Sequence, residues 1–287
     1  MISQSLVKEF QRLLGKEQVF LEETDRATYS SYDAAVLEPV MPAIVLRPGT
    51  SEELGQVVRL CHENSLPLTV RGAGTNLSGG SIPGRGGAVV LTTALNQILE
   101  INEADLYAVV QPGVITAKLA AAVEAKGLFY PPDPGSMAVS TLGGNVAENA
   151  GGLRGLKYGV TRDYIMGLTF FVATGESVKT GSRTVKCVSG YNLAALLVGS
   201  EGTLGVISEI TLKLIPLPAA PLATPATATC IPPSSPTAAT GKSGPGSRPP
   251  WTPSSKRPWN WAGRSPANTA SVRPKPASWK KSSERAP

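Results

Sequence analysis

The amino-acid composition changes abruptly after Pro218, and this change limits how much of the 287-residue chain can fold. Residues 219–287 contain 14 of the 25 prolines and all four tryptophans, but only three residues of the Leu, Ile, Val and Phe types. A segment with so few aliphatic side chains cannot bury enough apolar surface to offset the conformational entropy that folding removes. We therefore expect a disordered tail over 219–287 and a folded body before it.

The tail is strongly basic, whereas the body is slightly acidic. Residues 219–287 carry ten Lys or Arg and one acid, net +9, while residues 1–218 hold 17 bases and 20 acids, net −3. The body therefore gives no electrostatic reason to expect nucleic-acid binding. A basic, Trp-containing tail is typical of segments that bind nucleic acid or anionic membranes. Its abrupt onset favours instead a frameshifted coding sequence, which is our hypothesis, and we predict no nucleic-acid partner.

The cysteines and the N-terminus indicate a reducing compartment. Cys61, Cys187 and Cys230 have neither the density of a disulfide framework nor the spacing of a metal site, so we predict no metal. The N-terminus lacks a basic region followed by an apolar run, and no stretch of about 18 apolar residues occurs. We predict a cytoplasmic protein without a membrane span.

Hydrophobic periodicity in the body predicts mixed helices and strands. Apolar residues at helical spacing from Leu6 to Leu14 predict a helix that ends at Gly15, within a helical lead-in over 1–38. Further patterns predict strands at 43–46, 68–70, 88–92 and 108–111, and helices at 50–64 and 116–126. Alternation in 168–178 and 203–214 predicts antiparallel sheet, with Leu204, Val206, Ile210, Leu212 and Leu214 on one side. The expected fold class is α+β, with one domain over 39–218.

Glycine is concentrated in three segments that lack periodicity: 71–80, 135–152 and 199–205. Glycine lets backbone N–H groups approach a ligand closely, and consecutive N–H groups in a turn form an anion-binding concavity. Each segment taken alone is equally compatible with simple chain turns. Three of them in one domain favour a diphosphate-containing ligand.

Two familiar nucleotide motifs are absent. A dinucleotide fingerprint that begins at Gly72 would need glycine where Leu77 stands. The tail's Gly241-Lys242-Ser243 imitates a phosphate-binding P-loop, but Pro236 occupies the position of its first glycine. The sequence therefore predicts neither a Rossmann domain nor a P-loop domain.

The glycine segments and their neighbours resemble FAD-linked oxidases of the p-cresol methylhydroxylase and vanillyl-alcohol oxidase type. The matching motifs, in chain order, are Arg71–Gly80 (RGAGTNLSGG), Pro132–Gly135 (PDPG), Ser140–Gly152 (STLGGNVAENAGG), Leu156–Gly159 (LKYG) and Gly199–Val206 (GSEGTLGV). Within that family they are most similar to the glycolate oxidase D subunit and to D-lactate and D-2-hydroxyglutarate dehydrogenases. The resemblance covers about residues 20–218.

This resemblance implies an FAD-binding domain of two α+β subdomains that hold the dinucleotide between them. By position, the pyrophosphate would lie on Gly72, Gly74, Thr75, Asn76, Ser78 and Gly79. The isoalloxazine and ribityl side would be lined by Pro134, Gly135, Thr141, Gly143, Gly144, Asn149 and Gly152, and the adenine half would meet Gly205 and Ile207. Arg71 would pair either with a flavin phosphate or with a carboxylate, and Lys157 and Tyr158 would lie near the ring.

The resemblance also implies noncovalent FAD, because members that attach flavin covalently use histidine or cysteine. His62 is the only histidine, and we expect it on the exposed face of its helix, with Cys61 in the core. The family's C-terminal substrate domain, with its His-rich motif, is missing from this sequence, so no catalytic residue is assigned.

Two functions of different class follow. The first is an FAD-dependent oxidoreductase that oxidises a 2-hydroxy acid to a 2-oxo acid, completed by the missing domain or by partner oxidase subunits. The second is an FAD-binding fragment without turnover. A nucleic-acid-binding tail is a third, less favoured class.

Overall fold

A computed structural model of the chain describes residues 2–31 and 37–218. The tail predicted over 219–287 lies outside the described residues. Two sheets organise the described part, and a short two-stranded ladder accompanies them. No helix among the described residues is long and apolar enough to cross a membrane.

The first sheet is mainly parallel and belongs to the N-terminal part of the chain. Its strands are β1 (Val19–Phe20), β2 (Ile44–Leu46), β3 (Leu68–Arg71) and β4 (Ala88–Leu91), in the order β1-β2-β4-β3. Strands β2 and β3 pair parallel with β4, and β1 pairs antiparallel with β2. The predicted order of strand, helix, strand and glycine segment is thus confirmed, and the glycine segment begins where β3 ends.

Two helices pack against this sheet. Helix α1 (Gln4–Leu14) buries Leu6, Phe10 and Leu14 in the same cluster as strands β2 and β4, so the lead-in contributes to the core. Helix α3 (Ser51–Glu63) begins with the predicted capping box, in which the Thr50 hydroxyl accepts from the Glu53 amide. Its buried face contains the predicted Leu54, Val57, Val58 and Cys61. The short helix α2 (Glu23–Thr28) lies between β1 and β2 in sequence.

The second sheet is antiparallel. Its strands are β5 (Ile98–Asn102), β6 (Tyr107–Val110), β8 (Ile165–Phe171), β9 (Ser177–Gly181) and β10 (Val206–Lys213), in the order β5-β6-β10-β8-β9. The remaining strands and α-helices are β7 (Leu128–Phe129), β11 (Ile215–Pro216), α4 (Thr116–Glu124), α5 (Leu142–Glu148), α6 (Gly155–Tyr158) and α7 (Leu193–Leu197), and 3-10 helices cover Lys16–Gln18 and Thr161–Tyr164. The predicted helix after residue 116 and the predicted antiparallel strands are confirmed.

The antiparallel sheet predicted over 168–178 is made of two strands. Strand β8 ends at Phe171, the chain turns through Gly175 at φ 80°, and β9 then pairs antiparallel with β8. The predicted one-sided pattern holds for Ile210, Leu212 and Leu214, which pack into one core. It is wrong for Leu204 and Val206. Leu204 precedes β10 and is 48% exposed, and Val206 packs into the other core because a register shift between Ile207 and Glu209 interrupts the alternation.

The two sheets meet where β8 and β10 share their ends. Phe171 and Val206 pack into the core of the first sheet, whereas their neighbours Phe170 and Ile207 pack into the core of the second. Alternating side chains of one strand pair therefore serve both cores. The turn before β10 lies beside β3, because a Cβ at Gly202 would lie 3.8 Å from Val70 Cβ.

Candidate functional site

A cleft between the two sheets gathers parts of all three glycine segments. Nine of the sixteen predicted cofactor residues line it: Gly72, Gly74, Thr75, Asn76, Thr141, Gly143, Gly144, Gly205 and Ile207. The walls come from the loop after β3, from helix α5 and the turn before it, and from the turn that leads into β10. Elements distant in sequence thus form one concave surface.

The loop after β3 leaves a run of backbone donors without internal partners. Within the described part of the chain, the amides of residues 72–78 donate to no other group, while those of Gly79 and Gly80 bond to the Asn76 and Ser78 side chains. Consecutive unpaired N–H groups create a local positive potential that favours an anion. This loop therefore has the chemistry of a phosphate-binding wall.

The first two glycine segments approach each other so closely that a side chain at position 72 would not fit between them. A Cβ at Gly72 would overlap the Thr141 hydroxyl, which in turn accepts a hydrogen bond from the Gly144 amide at 3.3 Å at the start of α5. Glycine at position 72 is therefore required by the contact itself.

A network of buried polar side chains holds the second glycine segment in place. The Asn145 amide donates to the Thr116 hydroxyl at 2.7 Å, and that hydroxyl lies 3.0 Å from Ser140 Oγ. Thr116, Ser140 and Asn145 are each at most 3% exposed. Because buried polar groups that lose a partner are costly, this network holds the turn before α5 in one conformation.

Backbone hydrogen bonds attach the third segment to the end of α5. The Gly199 amide donates to the Val146 carbonyl and the Glu201 amide to the Ala147 carbonyl, both at 2.9 Å. The Glu201 bond satisfies a carbonyl that the helix end leaves free, and the Gly199 bond gives the Val146 carbonyl a second donor besides the Asn149 amide. They also place the Glu201 carboxylate beside Glu148, the last residue of α5.

The two carboxylates flank Gly80 at one side of the cleft. Glu201 Oε2 and Glu148 Oε1 lie 3.0 and 3.3 Å from where a Cβ at Gly80 would be, and the Ser78 hydroxyl donates to Glu148 at 3.0 Å. Burial raises the pKa of Glu148 above its ordinary 4.5; the Ser78 hydrogen bond lowers the pKa and the charge of Glu201 raises it. The net direction shows that folding disfavours the charged form of Glu148.

We expect Glu148→Gln to stabilise the cofactor-free protein at neutral pH. A carboxyl whose pKa is raised by folding costs stability when it is ionised, and that cost disappears as the pH falls below its unfolded pKa. The gain in melting temperature should therefore be present at pH 7 and shrink towards pH 4. Glu63→Gln, at an exposed position on α3, is the matched control. If Glu148→Gln raised the melting temperature equally at every pH, or lowered it, the raised pKa of Glu148 would be contradicted.

Arg71 lies beneath the loop and does not line the cleft. It is 9% exposed, its guanidinium donates to the Ser31 carbonyl and to Ser81 Oγ, and it lies 5.7 Å from the centre of the Tyr29 ring. Burial lowers the pKa of Arg71 below its ordinary value. No ion pair with a carboxylate is formed within the described residues, and a Cβ at Gly74 would overlap the guanidinium. Arg71 therefore supports the loop from below.

The other predicted cofactor residues outside the lining are Ser78, Gly79, Pro134, Gly135, Asn149 and Gly152. Asn149 adopts a left-handed conformation at the end of α5 and accepts from the Arg162 amide at 3.0 Å. Gly152 packs directly on the Asp133 carbonyl, and Asp133 accepts from the Arg154 amide at 3.0 Å. The contact between Gly152 and Asp133 connects the Pro134 segment to the end of the 140–152 segment. The cofactor role of these residues stays a prediction.

The remaining candidates lie away from the cleft lining. Lys157 is exposed, with Nζ 4.8 Å from the centre of the Tyr158 ring. Cys61 and His62 line a separate pocket on the other side of the 202–205 turn. His62 is exposed and Cys61 is buried, as predicted, and burial raises the pKa of the Cys61 thiol to about 12. The Cys61 thiol is therefore unreactive at neutral pH.

Sequence reasoning missed several lining residues, among them Ser81, Asn145, Glu148 and Glu201. Asn145, Glu148 and Glu201 lie inside the motifs that carried the resemblance, but nothing in those motifs indicates which side chains turn inward. Ser81 follows directly after the first motif. The lining contains no His, Cys, Lys, Arg or Tyr among the described residues, so its titratable groups are the two carboxylates. The cleft can bind an anionic, hydroxyl-rich ligand but offers few groups for proton transfer.

Comparison with known proteins identifies this kind of domain. Residues 42–181 match the family model described as FAD binding domain. The chain is 49% identical over 218 residues to glycolate oxidase subunit GlcD of Bacillus subtilis, and this match covers 76% of the chain and 46% of the relative. It is 40% identical over 217 residues to D-lactate dehydrogenase of Anaerostipes hadrus, covering 76% and 45%. The chain thus spans a little under half the length of these relatives.

The fold agrees with a solved structure. The crystal structure of p-cresol methylhydroxylase with substrate bound matches at a TM-score of 0.66 and 20% identity, over 76% of this chain and 45% of that one. The resemblance predicted from the glycine motifs is therefore confirmed, as is the α+β fold.

Proposed function

Because residues 42–181 are an FAD binding domain homologous to that of glycolate oxidase subunit GlcD, we propose that the chain binds FAD in the glycine-lined cleft. The observation that carries this proposal is the run of amides at residues 72–78 without partners among the described residues. A diphosphate needs several aligned donors, and this run offers them without bulky side chains. Gly205, at the end of the third segment, and Ile207 in β10 would meet the adenine half.

We propose further that the FAD is held noncovalently. Among the described residues, the cleft lining contains no histidine or cysteine that could form a covalent bond to the flavin. The purified protein should therefore show flavin absorbance after incubation with FAD, and heat denaturation should release the flavin as intact FAD into the supernatant. Flavin that stays with the precipitated protein would contradict noncovalent binding. A protein that takes up no FAD would contradict the proposed function itself.

The proposed activity is that of an FAD-dependent oxidoreductase which converts a 2-hydroxy acid to a 2-oxo acid. The bound flavin would supply the hydride acceptor. This chain's residues would orient the cofactor and enclose its diphosphate. Groups that bind the substrate carboxylate and take its hydroxyl proton would come from the part of the relatives outside the match, or from partner subunits, since one relative is named as an oxidase subunit.

The alternative is an FAD-binding module that does not turn over substrate by itself. The lining favours it, because its titratable groups among the described residues are Glu148 and Glu201 and neither is an imidazole or a cation. Oxidation of glycolate and of D-lactate by the FAD-loaded protein, measured with an artificial electron acceptor, separates the two. Turnover by the chain alone supports the enzyme, and zero turnover by an FAD-loaded sample supports the module. The free thiols Cys61 and Cys187 are compatible with the proposed cytoplasmic setting.

A further inference from the structure

Ser81 has an unusual hydrogen-bonding position in the cleft wall. It is 4% exposed, it lines the cleft, and its hydroxyl oxygen receives two donors. Asn76 Nδ2 donates to Ser81 Oγ at 2.8 Å, and Arg71 Nη1 approaches the same oxygen at 3.4 Å.

The orientation of the Asn76 amide is fixed by a neighbouring backbone group. Asn76 Oδ1 accepts from the Gly79 amide at 2.9 Å, and a backbone N–H can only donate. The oxygen of Asn76 therefore faces Gly79 and its NH2 group faces Ser81. A guanidinium is likewise a donor only. Both groups that contact Ser81 Oγ thus use its lone pairs and leave its proton free.

Within the described part of the chain, the Ser81 hydroxyl donates to no acceptor. A hydroxyl this deeply buried normally uses its proton, because a buried donor without an acceptor has lost its hydrogen bond to water and destabilises the folded protein. Ser81 lines the cleft, which is also lined by residues 72–76, and the amides of those residues have no partners within the described part of the chain. Its free proton therefore adds a donor to that anion-binding wall.

We propose that Ser81 donates its hydroxyl proton to a phosphate oxygen of the bound dinucleotide, and that Arg71 acts on the phosphate through Ser81 without touching it. The inference rests on the proposed FAD binding and names a residue of that site. Hydrogen bonds from a cation to a hydroxyl polarise the O–H bond, which makes it a stronger donor to an anion. Through the polarised Ser81 hydroxyl, the positive charge of Arg71 would favour an anion in the cleft, although the guanidinium itself lies beneath the loop.

The test compares Ser81→Ala with Ser81→Thr, which keeps the hydroxyl. FAD affinity is measured from the change in flavin fluorescence on binding, and ADP, which carries the same diphosphate, is titrated as a competitor. Ser81→Ala should raise the Kd of FAD and the Ki of ADP by the same factor of about tenfold or more. Ser81→Thr should restore both constants towards the wild-type values.

Ser208→Ala is the matched control, because Ser208 is 3% exposed and its hydroxyl donates to the Thr169 carbonyl at 3.1 Å, in the sheet rather than in the cleft lining. It removes a buried hydroxyl and should leave both constants unchanged. The inference is overturned if Ser81→Ala leaves the Ki of ADP unchanged, or if Ser81→Thr binds FAD and ADP as weakly as Ser81→Ala. Wild-type protein that binds no FAD would overturn the proposed function, and this inference with it.

Discussion

Replacement of Gly72 by alanine should weaken FAD binding about 10- to 100-fold, because it drives the first two glycine segments apart. The new Cβ would overlap the Thr141 hydroxyl, whose position is fixed by its hydrogen bond to the Gly144 amide. Separation of the segments widens the cleft and misaligns the amides of the 72–78 loop relative to α5. FAD titration gives the affinity, and thermal melting of the cofactor-free protein shows whether the fold remains.

A second substitution tests whether overlap with the Thr141 hydroxyl causes the loss of affinity. Thr141→Ala removes the overlapping oxygen, and the remaining Cβ at 141 would lie 3.4 Å from a Cβ at 72, an ordinary contact. The double variant Gly72→Ala/Thr141→Ala should therefore bind FAD more tightly than Gly72→Ala alone, although it loses the cap of α5. Gly84→Ala is the control, since a Cβ there would meet nothing within 4 Å. Additive losses in the double variant would show that contact between residues 72 and 141 is not the cause.

Gly152→Ala should have the largest effect on stability, a loss of about 3 kcal/mol in the free energy of unfolding. Its Cβ would overlap the carbonyl of Asp133, and a backbone group cannot move aside as the end of a flexible side chain can. Asp133 is also held by the Arg154 amide, so the 132–135 and 150–155 segments would have to move together. The expected fall in melting temperature is about 6–12 °C for a body of this size.

Gly155→Ala, three residues later, is the control for this prediction. A Cβ at Gly155 would meet nothing within 4 Å, and alanine favours the helix α6 that begins there. Each variant adds one methyl group to a glycine in the same short stretch of chain. If both melted at the same temperature, the close packing of Gly152 on Asp133 could not be a structural requirement of this domain.

Much of the fold was predictable because local patterns specify it. The capping box at Thr50, the helical spacing through Cys61 and the short apolar runs of β2 and β4 each depend on residues close in sequence. Strand β5 was missed, because its exposed Leu99 and bulge near Ile98 break the alternation that signals a strand. Val206 was assigned to the wrong side for a related reason, since the bulge between Ile207 and Glu209 in β10 changes which side a residue faces.

The candidate site was likewise predictable only in part. Three glycine segments, their resemblance to an FAD-binding domain and the lack of core-forming aliphatic side chains in residues 219–287 can all be read from the amino-acid order. Which residues face the cleft follows from the folded chain. Folding places Arg71 beneath the loop and Glu148 beside Glu201, and it gives the Ser81 proton no acceptor among the described residues. The difference arises because glycine content and motif order are properties of the chain. Side-chain direction and hydrogen-bond polarity depend on contacts between β3, α5 and β10, which are far apart in sequence.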